Sequence, residues 1–204
     1  MLSQSKDTIR SALKSIAKRI AGINPNTFTL LGLITGILSG VSFALHSGSG
    51  SIDQIDPVIA GGFFILVSGF FDVIDGAVAR EKNWVTKFGG VLDSICDRYG
   101  DAAIIVGAMY GGLTELPIPP YSPWFWGAIA LIGSFMVSYT RARAESAGVI
   151  SGVISIGIAE RTERMLIIAI GSFFGIVNWA IFIVAIIAHI TVLQRIIIAR
   201  KVLK

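Results

Sequence analysis

The sequence predicts an all-α integral membrane protein: six transmembrane helices preceded by an amphipathic juxtamembrane helix. Three observations lead there. The 204-residue chain is 53% hydrophobic with a mean hydropathy of +0.75, and only 15% of its residues are charged. A soluble domain carries about 25% charged residues. The apolar residues gather into six long stretches separated by turn-forming loops. All 17 Lys and Arg residues can be placed on one side of a six-span arrangement. The same composition excludes a disordered chain, which could not keep so much apolar surface solvated. The single cysteine, Cys96, excludes an intrachain disulfide framework and a Cys-rich metal site. His46 and His189 are far apart and lack ligand-like spacing.

The elements follow in order along the chain. Residues 3–20 carry Ile9, Leu13, Ile16, Ala17 and Ile20 at helical spacing, with Lys6, Arg10, Lys14, Lys18 and Arg19 on the remaining surface. That pattern suits a helix lying in the interface, drawn to anionic headgroups. A spanning helix needs about 20 apolar residues to cross ~30 Å of hydrocarbon. Stretches near 27–46, 58–79, 88–112, 123–146, 159–177 and 178–199 meet that requirement. Asn24-Pro25-Asn26 opens the first, a Ser/Gly/Asp loop from His46 to Pro57 follows it, and a Pro-rich loop runs from Thr114 to Pro123. Small residues from Gly148 to Gly157 separate spans four and five, and Asn178 is expected to divide the last apolar run. Residues 1–204 therefore read as one membrane domain, with a six-helix bundle over 27–199.

Basic residues set the expected orientation. Five lie in the first helix; Arg80, Lys82, Lys87 and Arg98 flank the second connection. Arg141, Arg143, Arg161 and Arg164 flank the fourth, and Arg195, Arg200, Lys201 and Lys204 close the chain. The loops near 47–57 and 113–122 contain none. The positive-inside bias places both termini and the even-numbered loops in the cytoplasm.

Spans two and three carry charges that a lipid-facing helix would reject. Asp72 and Asp75 are three residues apart near the cytoplasmic end of span two; Asp93 and Asp97 are four apart near the cytoplasmic start of span three. Those spacings put each pair on one helix face. The short connection makes the two helices antiparallel neighbours, so four carboxylates converge at the cytoplasmic membrane level. Unpaired, they would repel one another, and must take up protons or bind cations. Oxygen ligands without His or Cys point to magnesium, manganese or calcium rather than zinc. Paired ions of that kind hold and activate phosphate esters. The structural alternative is pairing with arginine, but Arg80 and Arg98 could neutralise only two of the four. Gly76 and the Gly89-Gly90 pair allow a ligand or backbone to approach closely.

The whole segment is Asp72-x2-Asp75-Gly76-x2-Ala79-Arg80-x8-Gly89-x3-Asp93-x3-Asp97. In this it resembles the CDP-alcohol phosphotransferase family, with every fixed position of that signature present. The resemblance implies a six-helix membrane enzyme, a homodimer, that moves a phosphatidyl-type group from a CDP-linked lipid to an alcohol and releases CMP. It implies that Asp72, Asp75, Asp93 and Asp97 bind two divalent ions, Mg2+ or Mn2+. It implies that Gly76, Ala79, Arg80 and Gly89 contact the CDP moiety. Pro25-Asn26 matches a pair the family carries before its first span, which brings Asn26 towards the nucleotide; Thr86 is a further nucleotide candidate from its place before Gly89. By the same analogy Asp97 is the general base for the acceptor hydroxyl. Metal ligation by Asp97 would lower its basicity, so its two implied roles compete. Attack in line at the lipid-linked phosphorus is a positioning-dominated phosphoryl transfer.

The acceptor is read from spans four to six. Arginines converging on the membrane level of the metals suit a phosphorylated acceptor, and positive-inside anchoring with pairing to Glu145, Glu160 and Glu163 is the plainer alternative. Ser138-Tyr139-x-Arg141-Ala142-Arg143-Ala144-Glu145 and Gly157-x-Ala159-Glu160-Arg161-x-Glu163-Arg164 resemble the inositol 1-phosphate branch of the family, which makes phosphatidylinositol phosphate or its archaeal, archaetidyl counterpart. So does Leu92-Asp93-Ser94-x2-Asp97-Arg98. That likeness implies that Arg141, Arg161, Arg164 and Arg195 hold the acceptor phosphate, with CDP-archaeol or CDP-diacylglycerol as donor. Glycerol 3-phosphate or serine is the alternative acceptor. A cation transporter is the alternative from another class; it would need acids near the bilayer midplane, on a route to both faces. No nucleic-acid partner is expected. Gly32, Gly36 and Gly40 form a stripe suited to close helix packing. Trp84, Trp124, Trp126 and Trp179 fall near span ends, as interfacial aromatics do. Cys96 reads as a packing residue. Asp101 extends the Asp93–Asp97 face, either as a partner for Arg98 or within another buried polar pair.

Overall fold

The structure, a computed structural model, describes residues 19–20, 22–46 and 56–203. The expected interfacial helix over 3–20 lies almost entirely outside them. The described residues form seven helices and no strands: α1 (Pro25–Ala44), α2 (Pro57–Glu81), α3 (Lys87–Tyr110), α4 (Pro123–Ser146), a one-turn α5 (Ser151–Ile154), α6 (Arg161–Phe173) and α7 (Val177–Val202). α1, α2 and α7 are long and apolar enough to cross a membrane. α3 and α4 have the length, 24 residues each. Charged and polar side chains, among them Asp93, Asp97, Asp101 and Arg141, dilute their apolar character. α6, with 13 residues, extends only ~20 Å at the rise of an α-helix.

Local sequence explains where the helices begin and end. Asn24 and Asp56 cap α1 and α2 through Asn26 N (3.0 Å) and Val58 N (2.8 Å), each ahead of a proline in the first turn. Thr86 caps α3 through the Gly89 amide at 2.9 Å. α2 ends with Asn83 in the left-handed region (φ 54°), and the Trp84 amide returns to the Ala79 carbonyl at 2.9 Å. Gly175 (φ 67°) ends α6 in the same way, with the Ile176 amide on the Gly171 carbonyl at 2.8 Å. The last apolar run therefore breaks at Gly175, where a residue without Cβ takes the left-handed conformation, and not at Asn178. Asn178 lies inside α7 and donates from Nδ2 to the Glu115 carbonyl at 3.1 Å.

The helices close into a ring. α1 packs on both α2 and α3; α2 then meets α6, α6 meets α7, α7 meets α4, and α4 returns to α3. The expectation that α2 and α3 are direct neighbours needs correction. α1 sits against both of them, and they do not pack on each other along their length. The glycine stripe makes this possible. A Cβ on Gly32 would touch the Ser68 carbonyl of α2 at 3.5 Å, one on Gly36 would crowd Gly100 Cα of α3 at 3.2 Å, and one on Gly40 would overlap the Ala103 carbonyl. Ser68 Oγ donates to the Gly32 carbonyl and Ser39 Oγ to the Gly61 carbonyl, both at 2.8 Å. With α1 between them, α2 and α3 approach only at their carboxylate-bearing ends.

Candidate active site at the carboxylate-bearing ends of α2 and α3

Asp72 and Asp75 from the last turns of α2 meet Asp93 from the second turn of α3. One carboxylate oxygen of each lies within 4.8 Å of the others. Three hard oxygen donors at that spacing fit a divalent cation of the magnesium or manganese type. Asp97 lies outside this group. Its Oδ1 is 3.1 Å from Nη1 of Arg161 and its Oδ2 is 3.7 Å from Nη1 of Arg98. Nη1 of Arg161 is also 3.5 Å from Asp72 Oδ2. With Asp101 included there are five carboxylates, and Arg98, Arg161 and Arg164 contact three of them, Asp72, Asp97 and Asp101, so among the described residues fixed positive charge falls short of the negative. Arginine pairing thus accounts for part of the cluster and leaves a surplus that suits cations. Arg80, expected as a possible counter-ion, instead lies along Gly76; a Cβ there would stand 3.1 Å from its Nη1.

Thr29 is a residue that sequence reasoning missed. Its buried hydroxyl donates to Asp75 Oδ2 at 2.7 Å and orients that carboxylate from α1. A signal for it existed, because Thr29 lies three residues after Asn26 and so shares its helix face.

Two cavities open from the carboxylates. The first, about 320 Å³, brings together all six expected nucleotide contacts: Asn26, Gly76, Ala79, Arg80, Thr86 and Gly89. Asp75 and Asp93 form part of its wall. A Cβ on Gly89 would meet Thr86 Oγ1 at 3.0 Å and Asn26 Oδ1 at 3.4 Å, so a side chain there would crowd both residues and narrow the passage. Trp84 also lines the cavity. It was expected to be an interfacial aromatic, and it stands there because the left-handed turn at Asn83 folds the connection back over α2; Lys82 Nζ lies 5.0 Å from its ring centre. Of the others, Trp124 and Trp179 are exposed, whereas the Trp126 indole nitrogen is buried. Trp126 and Trp179 each make edge-to-face contact with Phe182 at the opposite end of the bundle.

The second cavity, about 370 Å³, collects Arg141, Arg161, Arg164 and Arg195 with Asp93 and Asp97. The four arginines differ in what they hold. Arg195, 1% exposed, donates from Nε to the Ile156 carbonyl (3.2 Å), from Nη1 to the Val137 carbonyl (2.6 Å) and from Nη2 to Glu160. All three of its nitrogens are engaged, tying α7 to α4 and to the start of α6. Arg164, also 1% exposed, donates to the Ala159 carbonyl (2.6 Å) and to Asp101 (2.7 Å), and its buried Nε has no partner among the described residues. Arg141 is the more exposed of the set and donates to Glu145 (3.1 Å) and Ser151 (3.3 Å). Asp101 pairs with Arg161 and Arg164 on α6, not with Arg98, whose Nη1 donates to the Ser94 carbonyl at 2.7 Å. Cys96 is buried beside the carboxylates. A third cavity of about 330 Å³ runs from Asp72 and Arg161 along Ile65, Phe70, Ile104 and Leu166, and its walls are mainly apolar.

Comparison with known proteins agrees with this geometry. The family model described as CDP-alcohol phosphatidyltransferase matches residues 23–200. The archaetidylinositol phosphate synthase of Pyrococcus horikoshii is 41% identical over 203 residues, covering 98% of this chain and 97% of that protein. The archaetidylinositol phosphate synthase of Methanothermobacter thermautotrophicus is 40% identical, covering 100% of this chain and 96% of its own. Among solved structures, the phosphatidylinositol phosphate synthase of Mycobacterium tuberculosis with CDP-DAG bound superposes with a TM-score of 0.74 at 27% identity, covering 92% of both chains. The same mycobacterial enzyme in complex with manganese and citrate gives a TM-score of 0.76 at 27% identity, covering 92% of this chain and 88% of that one. With its signature aspartates lining three neighbouring cavities and nearly its whole length matched, the chain belongs to the CDP-alcohol phosphatidyltransferase family.

Proposed function

We propose that this membrane transferase moves the phosphatidyl or archaetidyl group of a CDP-linked lipid onto a hydroxyl of inositol 1-phosphate and releases CMP. One observation carries the reading: a cavity lined by the nucleotide-signature residues and a cavity lined by four arginines meet at Asp93, which belongs to both walls. Donor and acceptor can then face each other across the carboxylates. The names of the two archaeal relatives support an inositol phosphate acceptor.

Divalent ions bound by Asp72, Asp75 and Asp93, with Asp97 adjacent, would neutralise the donor diphosphate and stabilise CMP as a leaving group. The protein's own groups do the rest. Thr29 holds Asp75 in place. Asn26, Thr86, Arg80 and the open backbone at Gly76 and Gly89 hold the CDP moiety. The apolar cavity beside Asp72 suits the lipid chains. Asp97 faces the arginine-lined cavity and takes the proton of the attacking hydroxyl. Arg161 and Arg141 draw the acceptor phosphate, and Arg164 adds positive charge beside them in the cavity wall. Arg195 braces the cavity through the carbonyls it binds and adds positive potential there.

The same reading places α3 and α4 as spans beside α1, α2 and α7, and α6 with its flanking residues, 159–177, as a shorter sixth, with the 3–20 helix on the membrane surface and residues 1–204 as one domain. Buried polar residues on these helices, including Asp101, Ser134 and Arg164, turn towards the bundle interior, as the bilayer demands. Both termini and the site lie on the cytoplasmic side, and the working unit is a homodimer.

The test uses purified protein with CDP-archaeol or CDP-diacylglycerol. Inositol 1-phosphate, glycerol 3-phosphate and serine are offered in turn, and CMP release is followed with magnesium, with manganese and with chelator. Release that requires both inositol 1-phosphate and metal is expected. A preference for another acceptor reassigns the substrate, and no metal-dependent release with any alcohol discards the transferase reading.

A further inference from the structure

Arg161 and Arg164 occupy an unfavourable place. They stand in the first turn of α6, where the helix dipole presents its positive end and disfavours cations. Two guanidinium groups there also repel each other. Local rules broken in this way mark functional sites when something elsewhere compensates. The compensation is Asp101, on α3, 2% exposed. Its Oδ1 accepts from Arg161 Nε at 3.1 Å and its Oδ2 from Arg164 Nη2 at 2.7 Å. One carboxylate thus takes both arginines, one per oxygen.

The geometry at Arg161 goes further. A guanidinium is planar and rigid, so fixing Nε fixes the direction of Nη1. With Nε on Asp101, Nη1 falls 3.1 Å from Asp97 Oδ1 and 3.5 Å from Asp72 Oδ2, at the border of the arginine-lined cavity. Arg164 is fixed from its other side by the Ala159 carbonyl. We propose that Asp101 is a positioning residue: by gripping Arg161 and Arg164 together it sets the phosphate-binding geometry of the acceptor cavity beside Asp97. This rests on the reading of that cavity as the acceptor site. A purely structural counter-ion would affect folding or all kinetic constants alike. A positioning residue affects the acceptor more than the donor, because the nucleotide cavity contains neither arginine and the apolar cavity beside Asp72 meets only Arg161.

The experiment compares wild-type protein with Asp101→Asn and Asp101→Glu in the same detergent. Inositol 1-phosphate affinity is measured calorimetrically, and KM is measured for acceptor and for CDP-lipid. Asp101→Asn is expected to weaken acceptor binding and raise acceptor KM by about tenfold, as loss of a charge-assisted hydrogen bond does. The donor KM should rise much less than the acceptor KM, and Asp101→Glu should fall between Asn and wild type. Unchanged acceptor affinity, or parallel rises in both KM values, overturns the proposal. If Asp101→Asn does not fold, the same two KM values for Asp101→Glu decide. If neither variant folds, Asp101 serves stability alone and the proposal falls. Failure of the acceptor reading appears separately, in the wild-type arm. Should wild type bind glycerol 3-phosphate in place of inositol 1-phosphate, the comparison proceeds with that ligand, because Asp101 is assigned to the phosphate and not the polyol. Wild type that binds neither phosphomonoester removes the acceptor reading and this proposal together.

Discussion

Asp97 and Thr29 both border the metal-binding carboxylates, and they are expected to fail differently. Asp97 contacts Arg161 and Arg98 and stands outside the three-carboxylate group, a place that favours its role as base over that of a primary ligand. Asp97→Asn keeps the shape and the donor cavity but removes the proton acceptor. CMP release should fall by roughly 10²–10⁴-fold, the scale of general-base catalysis. CDP-lipid binding, measured by equilibrium dialysis, should survive; normal turnover in this variant would remove Asp97 as the base. Thr29 acts one step back from the chemistry. Thr29→Val preserves volume and deletes the 2.7 Å bond to Asp75. Loss of such a supporting bond weakens metal affinity by about 10–100-fold. The manganese concentration for half-maximal activity should rise accordingly, with near-normal turnover at saturation. An unchanged manganese requirement would mean that Thr29 only packs α1 against α2.

The helices carry the site through their spacing, and the spacing depends on glycine. At Gly107 on α3 an added Cβ would overlap the Gly40 carbonyl of α1, where backbone faces backbone and neither can yield. Gly107→Ala should therefore destabilise by about 1–3 kcal/mol, as overpacking does, and lower the melting temperature in detergent. Gly69 on α2 has nothing within 4 Å of such a Cβ. Gly69→Ala should match or exceed wild-type stability, given alanine's ~1 kcal/mol advantage within a helix. Equal melting of the two variants would refute the close approach of α1 and α3. The sequence made the GxxxG stripe on α1 legible, but not which helices it would touch. The carboxylates and the nucleotide contacts were legible for a related reason. They lie within residues 72–97, apart from Asn26, and a charge in an apolar helix is conspicuous because burying it is costly. The Asp101–Arg161 and Asp101–Arg164 contacts were not legible. They join residues 60 and 63 positions apart, and no local periodicity reports which distant helix supplies the partner. The wedge position of α1 escaped for the same reason: a short α2–α3 connection fixes antiparallel direction and says nothing of a third helix between them. The break at Gly175 was mistaken for Asn178 because both residues end helices, and only the backbone angle separates them.

At the scale of the whole molecule, the distribution of charge and the position of the site make one statement. The carboxylates occupy the C-terminal end of α2 and the N-terminal end of α3, and the arginines of α4, α6 and α7 reach the same level. Basic residues flank this end of α2, α3, α4, α6 and α7, while the loops near 47–57 and 113–122 have none. A transporter would need polar groups continuing to the far face. Here the α1–α3 contact beyond the site is closed by Gly40, Ala103 and Gly107 in backbone-to-backbone packing, and the core is filled by Phe43, Ile104, Ile105 and Ile181. The arrangement is a one-sided active site, and its orientation can be read directly. Cys96 is the single cysteine and is buried, so a thiol introduced elsewhere reports by itself. In sealed right-side-out vesicles, an impermeant maleimide should label Tyr121→Cys, on the Pro-rich loop, before lysis. Lys201→Cys, at the end of α7, should label only after lysis. Labelling of both positions from outside would require an even number of spans between them, and the reverse pattern would turn the site outward, away from water-soluble phosphates made in the cytoplasm. Either result would break the link between basic-residue sorting and site placement, on which the proposed six-span topology depends.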